Sequence, residues 1–206
     1  PPRSTLFPYT TLFRSQYEED RSGFDTNTVG VYRTAATVKG GRRFSFSAMV
    51  VCGDRQGSVG LGYGKANQVP NAIEKAQKKA KRAMRSFPLT GTTIPHEVTG
   101  KFGACTVRLV PASPGTGVIA GTAVRAVLDL FGVADCLSKA YGSTNGKNLT
   151  KAVIDGLGQL RSREEVQHLR KISLDKTHIE KAHEAVPSVV EHVETNESTS
   201  TEDAPT

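Results

Sequence analysis

The chain has 206 residues, a net charge of +7, 37% hydrophobic residues and three cysteines, a size that suits one large or two small domains. It contains no apolar run of the roughly 18 residues needed for a membrane helix, so no membrane partner is expected. Cys52, Cys105 and Cys136 are widely spaced and odd in number; this argues against a disulfide framework or a zinc site and for small, reduced, buried thiols.

Charge is distributed unevenly. Residues 1–28 carry −1, residues 29–86 carry +10, residues 87–160 carry +2 and residues 161–206 carry −4. The basic stretch holds twelve Lys and Arg against two acids, Asp54 and Glu74. That much positive charge on a foldable segment points to a polyanion. Nucleic acid is the commonest, because each neutralised phosphate releases condensed counterions.

In chain order, the first element is an N-terminal extension over residues 1–28. Within it, residues 5–15 read TLFPYTTLFRS, which looks like the conceptual translation of a sequencing-library adapter. These residues read as a gene-model artefact rather than as part of the fold. A first domain is expected over residues 29–87. Residues 31–39 form a strand and Gly40-Gly41 a turn. Residues 44–52 form a second strand, with Phe44, Phe46, Ala48 and Val50 alternating toward a core. After a turn at residues 54–57 comes a glycine-rich third strand over 58–65. Pro70 sits near the start of a helix over residues 71–86, and Pro88 helps to end it. Val69, Ile73, Ala76, Ala80, Ala83 and Met84 form its expected apolar stripe.

The second domain is expected over residues 88–174. Strands at 96–101 and 105–111 pair, and a glycine-rich connection runs over 111–121. An apolar helix at 123–131 ends at Gly132 in the C′ position. A short strand at 135–141 and a helix at 148–160 complete an α+β sandwich of sheet on helices. Residues 175–206 are acidic and rich in Glu, Ser and Thr, and read as a disordered tail. His178 and His183 are read as solvated side chains there rather than metal ligands.

Two basic sites follow. In KAQKKAKRAMR, Lys75, Lys78, Lys79, Arg82 and Arg85 recur at helical spacing, with only Glu74 available to pair with them. The segment is similar to the lysine-rich KKxAK stretch of double-stranded-RNA-binding domains, whose ammonium groups span a groove between phosphates. At the hairpin tip KGGRRF, Lys39, Arg42 and Arg43 flank Gly40 and Gly41; guanidinium groups grip phosphate bidentately, and the glycines let the tip enter a narrow space. All these cations are expected on one folded face. Phe44 and Phe46 are assigned to the core, which leaves Tyr63 alone for stacking, so binding follows RNA shape and backbone.

VGLGYGKA has neither the GxGxxG spacing nor the GK[ST] ending of a nucleotide loop. Its glycines read as sites of close approach for a backbone or a phosphate, with Lys65 beside them. No catalytic constellation appears: Ser113 and Thr116 lack a partner, and Asp129, Asp135 and Asp155 read as helix-surface and turn acids. No cofactor, metal or small-molecule substrate is expected. Two rivals remain. One is a small phosphotransferase, since PASPGTG superficially resembles the phosphate loop of some small-molecule kinases. The other is a free-standing double-stranded-RNA-binding regulator.

VKGGRRFSFSAMVVCGDRQGSVGLGYGKANQVPNAIEKA and, further on, PASPGTGVIAGTAVRAVLDLFGVADCLSKAYGSTN resemble the bacterial small-subunit ribosomal protein five family over about residues 31–174. The resemblance implies a double-stranded-RNA-binding-like ββ(β)α domain, then a β3-α-β-α sandwich with a left-handed crossover. It implies a non-enzymatic protein of the cytoplasmic ribosome that binds 16S rRNA and contacts small-subunit proteins four and eight. Such a protein helps to line the channel through which messenger RNA (mRNA) enters, and influences decoding accuracy. Residues 33–44 look like the family loop near the decoding region, Arg33 like a residue facing the mRNA channel, and Gly117 and Arg125 like positions at the contact with protein four. Ala36 stands where the family commonly has Lys, and the acidic tail has no counterpart in compact members.

Overall fold

The computed structural model describes residues 18–19, 23–175 and 177–184. The adapter-like segment at 5–15 and the tail beyond residue 184 lie outside the described residues. The first sheet has the order β1-β2-β3-β4-β5, from β1 (Glu18–Glu19), β2 (Asp25–Val38), β3 (Gly41–Gly53), β4 (Ser58–Ala66) and β5 (Arg85–Ser86), all antiparallel. Helix α1 (Val69–Arg82) covers one face of it. Pro70 lies in the first turn of α1, where its missing N–H removes no helical bond.

Tight packing holds α1 to β4. A Cβ added at Gly60, Gly62 or Gly64 would fall on the backbone oxygen of Ala80, Ala76 or Ala72 respectively. The buried stripe of α1 is accordingly Ala72, Ala76 and Ala80, set against Ala48 and Val50 of β3. The expected stripe through Val69 and Ile73 is rotated because only alanines fit over the glycine row; Ile73 packs at its margin. The glycines of VGLGYGKA thus admit a helix backbone.

Helix α1 stops at Arg82, short of the expected residue 86. The Ala83 N–H closes onto the Lys79 and Ala80 carbonyls, and the chain returns to the sheet edge as β5, pairing Arg85 with Val59. Arg85 therefore sits on an edge strand rather than on the helix. Phe44 is also displaced from its expected place. It lies beyond the reach of α1 and is 43% exposed.

The second sheet has the order β6-β7-β9-β8, from β6 (Val98–Phe102), β7 (Cys105–Pro111), β8 (Val118–Ile119) and β9 (Cys136–Gly142). Helix α2 (Thr122–Phe131) connects β8 to its parallel neighbour β9, and α3 (Gly146–Leu157) follows. The element order is the β3-α-β-α of the expected α+β fold. Gly132 ends α2 in the left-handed region at φ 97°, as a C-terminal glycine should. Two residues long, β8 emerges from what reads in sequence as a connection.

One hydrophobic core runs through both sheets. Val51 and Val59 of the first sheet join Val107, Leu109, Val127, Leu130, Phe131, Val153 and Leu157. Cys52, Cys105 and Cys136 are fully buried, and burial pushes the Cys136 thiol up to about 11. The β3–β4 turn docks on the end of α2: the Arg55 and Gly57 N–H groups donate to the Leu130 and Phe131 carbonyls, at 3.0 Å each. These bonds satisfy carbonyls that the helix leaves open.

Asp54 organises that turn by accepting from the Gln56 and Ser58 N–H groups at 2.8 and 2.9 Å. Burial would raise its pKa, but these N–H groups outweigh burial and hold it below its ordinary value. A depressed carboxylate stabilises the fold above its unfolded pKa, and that stability is lost as pH falls through the lower, folded value. Asp54→Ala is therefore expected to cost about 1–2 kcal/mol at pH 7. The deficit should shrink in urea melts at pH 3, whereas an equal deficit at both pH values would contradict this role.

Two further helices lie beyond the expected elements, α4 (Arg163–Arg170) and α5 (His178–Glu184). Helix α5 falls inside the stretch that composition assigns to a disordered tail. Its His183 is not a free solvated side chain: Nε2 donates to the Ala112 carbonyl at 2.9 Å, and Nδ1 pairs with Thr92 Oγ1 at 2.8 Å. These bonds tie α5 to the second domain.

Candidate nucleic-acid interface

β2 and β3 extend past the body as a long hairpin, closing Val38 against Gly41 through Lys39 and Gly40. Lys39, Gly40, Gly41, Arg42 and Arg43 are all exposed, and Gly41 takes φ 139°. Arg42 pairs with Thr37 and Arg43 with Ala36. Adjacent strand residues point to opposite faces, so the two guanidinium groups straddle the hairpin. Arg33 shares the Arg42 face, with its guanidinium carbon 3.7 Å above the Phe44 ring. That contact orients the cation and leaves its donors free.

On α1, Lys75, Lys78, Lys79 and Arg82 are exposed, Lys75 at the flank of the glycine row with its Cβ beside Gly64. None of these four, nor any hairpin cation, is held by a carboxylate among the described residues. Their mutual repulsion is left for a partner to relieve.

The cations do not share one face. Gly64 points into α1, so its neighbours Tyr63 and Lys65 point away from it. Register places Lys65 beside Ser47 and Tyr32. The structure thus brings Arg33, Arg42 and the α1 cations to one side of the first sheet, and Arg43 and Lys65 to the other. Arg85 lies apart on the β5 edge.

Tyr63 is 39% exposed, and Lys147 from the start of α3 reaches over it. The ammonium lies 4.1 Å from the Tyr32 ring centre and 5.0 Å from that of Tyr63. A hydrogen bond with Ser47, then the charges of Lys147 and Lys65, hold the Tyr63 phenol below its ordinary pKa. Sequence reasoning missed Lys147 because it lies in a region of small net charge. The signal that would have found it is the i, i+4 pair with Lys151 on the second helix.

Gly117 takes φ 77°, and its N–H donates to Asp135 Oδ1 at 2.9 Å. Asp135, read from sequence as a turn acid, is buried and also accepts from Thr92 Oγ1. Arg125 donates to the Val118 carbonyl at 2.7 Å, fastening β8. In the PASPGTG loop, the Thr116 N–H and hydroxyl both donate to the Ser113 carbonyl. With Gly117 turned to Asp135, these donors point inward, which removes the ground for a phosphate loop.

A family model described as ribosomal protein S5, N-terminal domain, matches residues 24–88, and one described as ribosomal protein S5, C-terminal domain, matches residues 100–170. The chain belongs to the ribosomal protein S5 family. It is 51% identical over 154 residues to small ribosomal subunit protein uS5 of Rhodopirellula baltica, covering 75% of this chain and 87% of that one. It is 56% identical over 142 residues to the uS5 protein of Syntrophobacter fumaroxidans, covering 69% and 86%. Membership of the S5 family makes the chain a structural, non-enzymatic protein of the small ribosomal subunit, in the cytoplasm. Among the described residues no helix is long and apolar enough to cross a membrane.

Proposed function

We propose that the chain holds segments of 16S rRNA through Arg33, Lys39, Gly40, Gly41, Arg42 and Arg43 of the hairpin, through Lys75, Lys78, Lys79 and Arg82 of α1, and through Lys65 and Arg85. The observation that carries this reading is the set of exposed hairpin and α1 cations, Arg33, Lys39, Arg42, Arg43, Lys75, Lys78, Lys79 and Arg82, with no carboxylate partner among the described residues. Each can release counterions from RNA, and none has to break an ion pair to do so. The straddled arrangement of Arg42 and Arg43 suits a blade inserted between two RNA strands. In this reading the hairpin also reaches the channel by which mRNA enters, and affects decoding accuracy there.

The second domain packs against proteins four and eight. In support, Ile119 and Leu137, which pair across β8 and β9 next to the Gly117 loop, and Tyr141 further along β9 are 55%, 38% and 49% exposed on the face of the second sheet away from its helices. Exposed apolar surface of this kind marks protein contact. Domain limits of 29–87 and 88–174 go with this division of labour. Sucrose-gradient sedimentation of a lysate is the test. Stoichiometric co-migration with small subunits is expected; a chain that stays at the top of the gradient is a free-standing RNA-binding regulator instead.

A further inference from the structure

A groove separates the two domains on the side of the first sheet away from α1. It is an open depression with a volume of about 490 Å³, lined by Leu61, Arg85, Phe102, Lys151 and Ile154, among others. The Tyr63 cluster lies further along the same two elements, β4 and α3. Leu61 and Tyr63 share one face of β4, being two residues apart, and Lys147 and Lys151 share one face of α3, being four apart. Lys151 stands over the Phe102 ring at 4.6 Å, as Lys147 stands over Tyr32 and Tyr63.

Along β4 and the facing side of α3, cations therefore alternate with aromatic rings. Lys65, Lys147, Lys151 and Arg85 supply the charge; Tyr63 and Phe102, residues 39% and 41% exposed, supply the rings. Among the described lining residues the acid is Asp155, which accepts from the Lys101 N–H at 3.0 Å and the Gln159 amide at 3.2 Å. Phosphates held by ammonium groups and bases laid on aromatic faces are how single-stranded nucleic acid is bound without regard to sequence. Duplex RNA offers no free base faces to such rings, because its bases stay stacked.

From this we infer that the interdomain groove binds an extended single-stranded RNA segment, at a site distinct from the hairpin and α1. The inference rests on the reading that the chain binds RNA, and it specifies single-stranded RNA as the class that Lys65 and Arg85 meet on that surface. Because the lining comes from β4 and β5 on one side and from α3 and β6 on the other, the site exists only while the two domains stay docked.

The test uses the full chain and two fluorescently labelled probes in dilute buffer, a short oligouridylate and an RNA hairpin. Lys147→Glu with Lys151→Glu is expected to weaken oligouridylate binding about tenfold or more and to leave hairpin binding within about twofold. Tyr63→Ala is expected to weaken it about tenfold, and Tyr63→Phe to restore it, since a phenyl ring stacks as a phenol does. Arg42→Glu with Arg43→Glu should show the opposite pattern. Ultraviolet cross-linking of the unaltered chain to oligouridylate, read by mass spectrometry, needs no variant; adducts at Tyr63 or Phe102 are expected. Adducts confined to residues 39–44, or full oligouridylate affinity in the groove variants, would overturn the inference while leaving the proposed function intact. Binding of an acidic peptide but not oligouridylate would likewise overturn it, and binding of neither RNA would overturn both.

Discussion

Gly62→Val is expected to destabilise the chain by about 3 kcal/mol or more. The Cβ alone would fall on the Ala76 backbone oxygen and within 2.6 Å of the Ala80 nitrogen. Neither atom is the end of a flexible side chain, so relief requires α1 to lift from β4. Lifting it uncovers Ala48 and Val50, which are fully buried beneath it. Against a typical margin of about 5–15 kcal/mol, such a loss leaves a substantial unfolded population. Gly40→Ala is the control, since no heavy atom lies within 4 Å of its added Cβ, and it should move stability by less than about 1 kcal/mol. Urea denaturation followed by circular dichroism reads both. Equal midpoints for the two variants would mean that α1 does not rest on the glycine row.

Arg42→Glu together with Arg43→Glu carries the largest expected effect on binding. Reversing two unpaired cations at the hairpin tip removes two phosphate contacts and adds two repulsions. Affinity for a 16S rRNA fragment should drop about 100-fold at 0.1 M salt, and the slope of log affinity against log salt should flatten by about 2. Arg161→Glu should cost at most about threefold: Arg161 is exposed, and its backbone N–H, which the variant keeps, donates to His96 Nε2. Equal losses from the two changes would count against the hairpin.

Much of this was legible in the residues. Alternation marked β3, glycines marked the turns, and the lysines of α1, with only Glu74 near them in sequence, pointed to a polyanion. The misreadings have physical causes. Phe44 obeys the alternation of β3, but its strand outruns the helix that makes a core beneath it. The stripe of α1 was set a position off because hydrophobicity ranks Ile73 above Ala72, whereas the backbone contact with Gly60, Gly62 and Gly64 selects the smaller residue. Helix α4 left a readable sign: Ser162 and Glu165 form a capping box at the spacing S-x-x-E. Helix α5 left none, because a polar segment gains its order from His183 bonding to Thr92 and Ala112, which the sequence places far away. The groove was illegible for the same reason, since Tyr63 and Lys147 meet only after both domains fold.

The claim on which the account turns is that unpaired cations of a folded chain hold the backbone of structured RNA. It is tested most directly by titrating the purified chain with a 16S rRNA fragment across a range of salt concentrations. The account predicts tight binding in dilute buffer and a straight fall in log affinity with a slope of about −4 or steeper, as for five or more neutralised phosphates. A flat salt dependence, or no binding in dilute buffer by a chain whose circular dichroism shows an intact fold, would contradict it.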